Sequence, residues 1–67
     1  MMQIQLNGAP FELTGATSLA DLVDQLNLQG KRFAVEVNNE LVPRSEHASH
    51  ELQASDKVEI VQAIGGG

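Results

Sequence analysis

The sequence predicts an α+β fold: a mixed sheet of about five strands wrapped on one helix, in the order β-β-α-β-β-β. Three observations predict it. Short runs at both ends and in the middle alternate apolar and polar residues, the period of a half-buried strand. One stretch between them repeats at about 3.6 residues per turn, the period of a helix. Turn-forming pairs separate the alternating runs, Asn7-Gly8 first and Asn38-Asn39 later.

Met2-Gln3-Ile4-Gln5-Leu6 alternates, Asn7-Gly8 turns, and Phe11-Glu12-Leu13 alternates again after Pro10. The first thirteen residues therefore read as a β-hairpin. Thr14-Gly15-Ala16-Thr17 is a loop. Ser18 opens the helix: its hydroxyl can cap free N–H groups, and Asp21 stands three residues on, as in a capping box. Leu19, Leu22, Val23 and Leu26 share one face, while Asp21, Asp24 and Gln25 share the other. A helix of about three turns is expected, stopped by Gly30, with Lys31 and Arg32 just beyond.

Phe33-Ala34-Val35-Glu36-Val37 is a strand, Asn38-Asn39 a turn, and Glu40-Leu41-Val42 a short strand that Pro43 stops. Arg44 to Glu51 is polar and reads as loop with an irregular turn. Leu52 pins that loop to the core. Ala54-Ser55-Asp56 turns the chain into the last strand, Lys57 to Gln62. A helical crossover favours a parallel return, so the last strand is expected beside the first and parallel to it. That layout is the β-grasp, or ubiquitin-like, fold.

Composition narrows the function. Sixty-seven residues make one small domain with no room for a deep active-site cleft. There is no cysteine, hence no disulfide, thiolate metal site or thiol nucleophile. Nine acids against four bases give a net charge of −5, which argues against nucleic acid as a partner. It suits a basic docking groove on another protein. No leader precedes the first strand, and no apolar run approaches the roughly 20 residues of a membrane span. A soluble, cytoplasmic protein is the expectation.

The sequence ends Ala63-Ile64-Gly65-Gly66-Gly67, with three of its six glycines together. Residues 1–64 read as the folded domain and 65–67 as a flexible glycine tail. Glycine has no Cβ, so such a tail is thin and extensible. From Ile64 to Gly67 it spans at most roughly 13–14 Å, enough to carry a terminal carboxylate into another protein's active site. An ionised carboxylate is inert toward nucleophiles until it is activated, and adenylation by ATP is the usual biological route.

The chain resembles the prokaryotic sulfur-carrier family, and within it the thiamine-biosynthesis carriers, over its whole length. The residues that carry the likeness are Gln3-Ile4-Gln5-Leu6-Asn7-Gly8, Thr17-Ser18-Leu19-Ala20-Asp21-Leu22, Phe33-Ala34-Val35-Glu36-Val37-Asn38, Leu41-Val42-Pro43-Arg44, Asp56-Lys57-Val58-Glu59-Ile60-Val61 and the glycine ending. Family tails often end in two glycines where this one has three. The resemblance implies that Gly67 is the modified residue, with Gly66 and Gly65 as the tail behind it. It implies that an E1-like, ThiF-like adenylyltransferase uses ATP to make an acyl-adenylate there. A persulfide donor then supplies sulfur, and the resulting thiocarboxylate serves a ThiG-like thiazole synthase. The chain itself would be no enzyme and would bind no cofactor.

Other features carry less. His47 and His50 are three apart in a polar stretch and read as solvated loop residues rather than metal ligands. Ser45, Ser49 and Ser55 are not ordered into a nucleophile, base and orienter. Val61 falls on the outward face of the last strand, with Lys57 and Glu59, and is a candidate docking residue. Ala63 and Ile64, which lead into the tail, and Arg44, after Pro43, join it as docking candidates. Arg44 has two readings, a partner's acid or a surface ion pair with Glu46. Two other functions stay in play: a sulfur carrier for molybdopterin synthesis, and a β-grasp binding module without sulfur chemistry.

Overall fold

The computed structural model describes residues 2–15 and 18–62. It holds β1 (Met2–Leu6), β2 (Ala9–Leu13), α1 (Leu19–Gln25), β3 (Phe33–Val37), β4 (Glu40–Val42), a 3₁₀ turn (Arg44–Glu46) and β5 (Lys57–Gln62). The five strands form one sheet in the order β2-β1-β5-β3-β4. β1 and β5 are parallel, with Gln5 beside Lys57 and Leu6 beside Val58, and the other neighbouring strands are antiparallel. The expected parallel return of the last strand is present. It puts the strand nearest the glycines at the centre of the sheet.

The turns follow from residues that tolerate a left-handed backbone. Asn7 and Gly8 have φ of 50° and 84°, and Asn38 and Asn39 have φ of 53° and 70°. Two successive positive values make the tight hairpin turn whose twist matches the strands it joins. Each therefore fixes a register: Leu6 pairs with Ala9, and Val37 with Glu40.

Ser18 caps α1 as a capping box. Its hydroxyl accepts from the Asp21 N–H at 3.1 Å, and the Asp21 carboxylate accepts from the Ser18 N–H at 3.2 Å. The helix is shorter than the sequence suggests, seven residues or about two turns. Asn27 stops it, not Gly30. With φ of 58°, Asn27 lets its own N–H bond to the Asp24 carbonyl while the Leu28 N–H reaches the Val23 carbonyl. This double closure satisfies carbonyls that the helix leaves free, and asparagine adopts its left-handed bend at little cost.

Leu19 and Leu22 of α1 pack with Ile4, Leu13, Val35, Val37, Val42, Leu52 and Val58 in one buried cluster. On β3 the alternation is clean: Val35 and Val37 are buried while Ala34 and Glu36 are exposed. Leu52 is 3% exposed, the anchor the sequence implied.

The segment before it does more than connect. The carbonyls of His50 and His47 accept the N–H groups of Leu19 and Ala20, which begin the helix. The two histidines are not the solvated pair expected. His47 is 7% exposed, and His50 is half-buried. The 3₁₀ turn after Pro43 redirects the chain toward the helix and carries the His47 ring inward. Its Nε2 lies 3.1 Å from the Val42 carbonyl. A carbonyl only accepts, so Nε2 carries the hydrogen and donates it.

Candidate functional site

β5 is the last strand, ending at Gln62, and three neighbours hold it. Along one edge it lies on β1 and then, where β1 stops, on Asn7: the Asn7 N–H reaches the Val58 carbonyl at 2.9 Å, and the Asn7 Oδ1 accepts the Ile60 N–H at 2.8 Å. Along the other edge it pairs with β3 through to Gln62, which stands across from Phe33. At its start, Asn38 and Lys57 exchange hydrogen bonds, the Lys57 N–H to Asn38 Oδ1 at 3.0 Å and the Asn38 N–H to the Lys57 carbonyl at 2.7 Å. The strand is thus paired with β3 through to Gln62 and held on its β1 edge as far as Ile60.

Its two faces differ. Val58 is fully buried, and Ile60 is half-buried against the core. Val61, between Ile60 and Gln62, is 68% exposed. It points away from the helix, as the period of the strand requires, and stands across from Ala34. The outward assignment of Val61 is therefore right. Among the described residues Leu41 is the other large exposed apolar side chain, at 65%. It lies on the same outward face, across from Glu36. The signal for Leu41 was in the sequence. A two-residue Asn38-Asn39 turn fixes which residues of the two strands face each other, and Leu41 then falls opposite an outward residue.

Arg44 is turned to Lys31 and Phe33 rather than to Glu46. Its guanidinium donates to the Lys31 carbonyl at 3.0 Å and lies over the Phe33 ring, 4.7 Å from the centroid. The same ring stacks on His47, centroid to centroid 6.0 Å. Phe33 thus contacts both a cation and an imidazole at the sheet end where Gln62 lies. A crevice of about 280 Å³ opens beside them, lined by Ala20, Val23, Gly30, Phe33, Arg44 and His47 among others. Ala63, Ile64, Gly65, Gly66 and Gly67 lie outside the described residues.

Among the described residues no group of three or more His, Asp or Glu side chains converges as a metal site. None of their helices is long and apolar enough to cross a membrane.

A family model described as the ThiS family matches residues 4–67, a span that runs through all three terminal glycines. The chain belongs to the ThiS family. The sulfur carrier protein ThiS of Escherichia coli (strain K12) is 30% identical over 66 residues, covering 98% of this chain and 100% of that protein. The crystal structure of the thiamine biosynthesis protein ThiS from Geobacter metallireducens superposes with a TM-score of 0.82 at 29% identity, covering 98% of this chain and all of that one. The β-grasp fold read from the element order is that of this ThiS structure. A thiazole synthase of Magnetococcus marinus is 38% identical over 66 residues, which is 98% of this chain but 20% of that protein. A ThiS-like stretch is therefore built into a longer thiazole synthase chain.

Proposed function

We propose that this ThiS-family chain carries sulfur on the carboxyl group of Gly67 and gives it up for thiazole formation in thiamine biosynthesis. The observation that carries this is the family match running through Gly67 on a fold whose central strand ends at Gln62, three residues before Gly65 in sequence.

The chemistry belongs to the partners. An E1-like, ThiF-like adenylyltransferase joins the Gly67 carboxylate to AMP from ATP and releases pyrophosphate. The outer sulfur of an enzyme persulfide attacks the acyl carbon, and AMP leaves. A thiol then cleaves the S–S bond, leaving the thiocarboxylate on Gly67 and a disulfide on the donor side. A side chain at residue 67 would crowd the attack on that carbon, which is why glycine suits the position. The chain contributes positioning and no general base, nucleophile or bound cofactor. ATP is consumed by the adenylating enzyme, and the cytoplasm supplies it.

Thiazole synthase as the acceptor is supported by the Magnetococcus marinus enzyme, which carries a stretch like this chain within its own sequence. Joining a donor to its acceptor raises the effective concentration of each for the other. Val61, Ala63, Ile64 and Arg44 are the residues that dock these partners. Arg44 braces Phe33 at the same end. Intact-mass measurement of the protein after incubation with ATP, the adenylating enzyme and a persulfide source tests the reading. Exchange of one terminal oxygen for sulfur, dependent on ATP, is the expected result. No mass change under those conditions would overturn it.

A further inference from the structure

The few cations of this acidic chain are not spread over it. It has four lysines and arginines against nine acids. Lys31 and Arg32 lead into Phe33, and Arg44 reaches across to the same ring and to the Lys31 carbonyl. Three cations thus gather at one end of the sheet, all exposed. Lys57 stands at the opposite end of β5, its ammonium on Asn39 Oδ1 at 3.2 Å. Among the described residues none of the three gathered cations is ion-paired. The acids nearest in the chain are engaged elsewhere or stand apart: Asp24 accepts from the Gln29 amide, and Glu46 lies in the 3₁₀ turn with no bond to a cation. His47 is turned to the Val42 carbonyl. Like charges left together without a counter-charge repel, so the fold itself gains nothing from this grouping.

β5 stops at the same end. Gln62 stands directly across from Phe33, and the Arg44 guanidinium lies 4.7 Å from the Phe33 ring centroid. Neighbouring strands are about 4.8 Å apart, so the guanidinium lies on the order of 10 Å from where β5 ends. Five residues follow Gln62. They reach at most roughly 17 Å, far enough to turn back to it. Arginine has five N–H donors in one plane, and Arg44 spends one on the Lys31 carbonyl. A carboxylate is the group that such a fork fits best.

We propose that in the free protein the terminal carboxylate of Gly67 folds back onto Arg44, with Lys31 and Arg32 beside it and the crevice next to Phe33 receiving the bend. Three glycines permit so tight a reversal. This rests on the carrier reading for one point, that Gly67 ends the chain in a free carboxylate. The contact keeps the reacting group on its own body until a partner arrives. A partner that engages Arg44 displaces the carboxylate and frees it at the moment of docking. The groups are exposed, so the hold is weak, is screened by salt, and lowers the availability of the tail by no more than about fivefold.

The test is a titration of the full chain with its glycine carbonyls labelled with carbon-13, read by NMR at the terminal carboxyl. A neighbouring cation favours the ionised form, so the contact lowers the pH at which that carboxyl titrates. At low salt the parent is expected to titrate at least about 0.3 pH unit below Arg44→Gln, and the gap should close near 0.5 M salt. Lys31→Gln with Arg32→Gln should shift the titration upward in the same way. Both residues are exposed, so this double variant carries the test even if Arg44→Gln fails to fold. Lys57→Gln makes the same charge change at the far end and should leave the titration where it is. If the cluster variants titrate with the parent, the contact is overturned. If Lys57→Gln shifts the carboxyl as much as they do, only net charge is at work and the contact is overturned as well. ATP-dependent sulfur gain on the same parent preparation reports the carrier reading separately. Sulfur gain without the titration difference sinks the contact alone, and the titration difference without sulfur gain sinks the carrier reading alone.

Discussion

The side chain of Asn7 accepts the backbone N–H of Ile60 at 2.8 Å, across 53 residues of sequence. One residue thus closes the first hairpin and continues the edge that β1 provides to β5. Without that acceptor the Ile60 N–H would lose its partner at the point where β5 outruns its neighbour.

Asn7→Gly separates the two roles. Glycine accepts the φ of 50° freely, so the turn survives. The Ile60 hydrogen bond does not. A loss of about 1–2 kcal/mol in unfolding free energy is expected, with faster hydrogen exchange at the Ile60 amide than at Val58. Asn7→Asp keeps an acceptor oxygen and should restore most of the protection. Equal exchange at Ile60 in all three proteins would show that the side chain contributes nothing to β5.

His47 offers a sharper contrast between surface and core. A solvated histidine changed to alanine shifts stability by no more than about 0.5 kcal/mol. His47 is buried, stacked on Phe33 and bonded to the Val42 carbonyl. His47→Ala leaves a void and one carbonyl short of a donor, so a loss of about 2–3 kcal/mol is expected. Urea unfolding should give a lower midpoint with an unchanged slope. The same change at half-buried His50, whose side chain is not part of that stack, should cost clearly less.

These two residues also mark what the sequence disclosed and what it did not. Elements with a period were legible: all five strands and the capped start of the helix follow from alternation, Asn turns and Ser18 with Asp21. The end of the helix was not, because Asn27 and Gly30 both tolerate the left-handed bend that stops it, and both adopt it, with φ of 58° and 79°. The inward turn of His47 was hidden because residues 44–51 have no period. Their fold is set by carbonyls meeting the helix N-terminus, a long-range contact. In the site, Val61 was legible from strand phase alone. Arg44 was not, since its contact with Phe33 joins a loop to a strand residue eleven positions back.

Val61→Asp should leave the fold nearly intact and weaken partner binding. At 68% exposure the new carboxylate stays hydrated in the free protein, and a change in stability below about 1 kcal/mol is expected. At an interface centre the same group is desolvated without a partner and costs several kcal/mol, roughly a hundredfold or more in affinity. Thermal unfolding and calorimetric binding to the adenylyltransferase and thiazole synthase check it together. An early-melting variant that binds normally once folded would assign Val61 to the core.

Removal of Gly66 and Gly67 separates carriage from folding. The buried cluster runs from Ile4 to Val58, and every described strand ends by Gln62, so the deletion touches none of these contacts. The thermal midpoint is expected to stay within a degree or so of the parent's, as for a surface change of a few tenths of a kcal/mol. Sulfur gain should be abolished, because the new terminal carboxylate on Gly65 falls roughly 7 Å short of where Gly67 would carry it. Gly66→Val should act by another route, since β-branching stiffens and widens the chain where a narrow channel must admit it. Both variants keep Val61 and Arg44, so both should still dock. Each should then inhibit sulfur transfer to the intact protein competitively. Unfolding, partner binding and thiocarboxylate formation, measured side by side on the same preparations, decide the matter. A truncated chain that still accepts and delivers sulfur would remove the reactive role from Gly67 and leave the body of the fold as the only element the partners use.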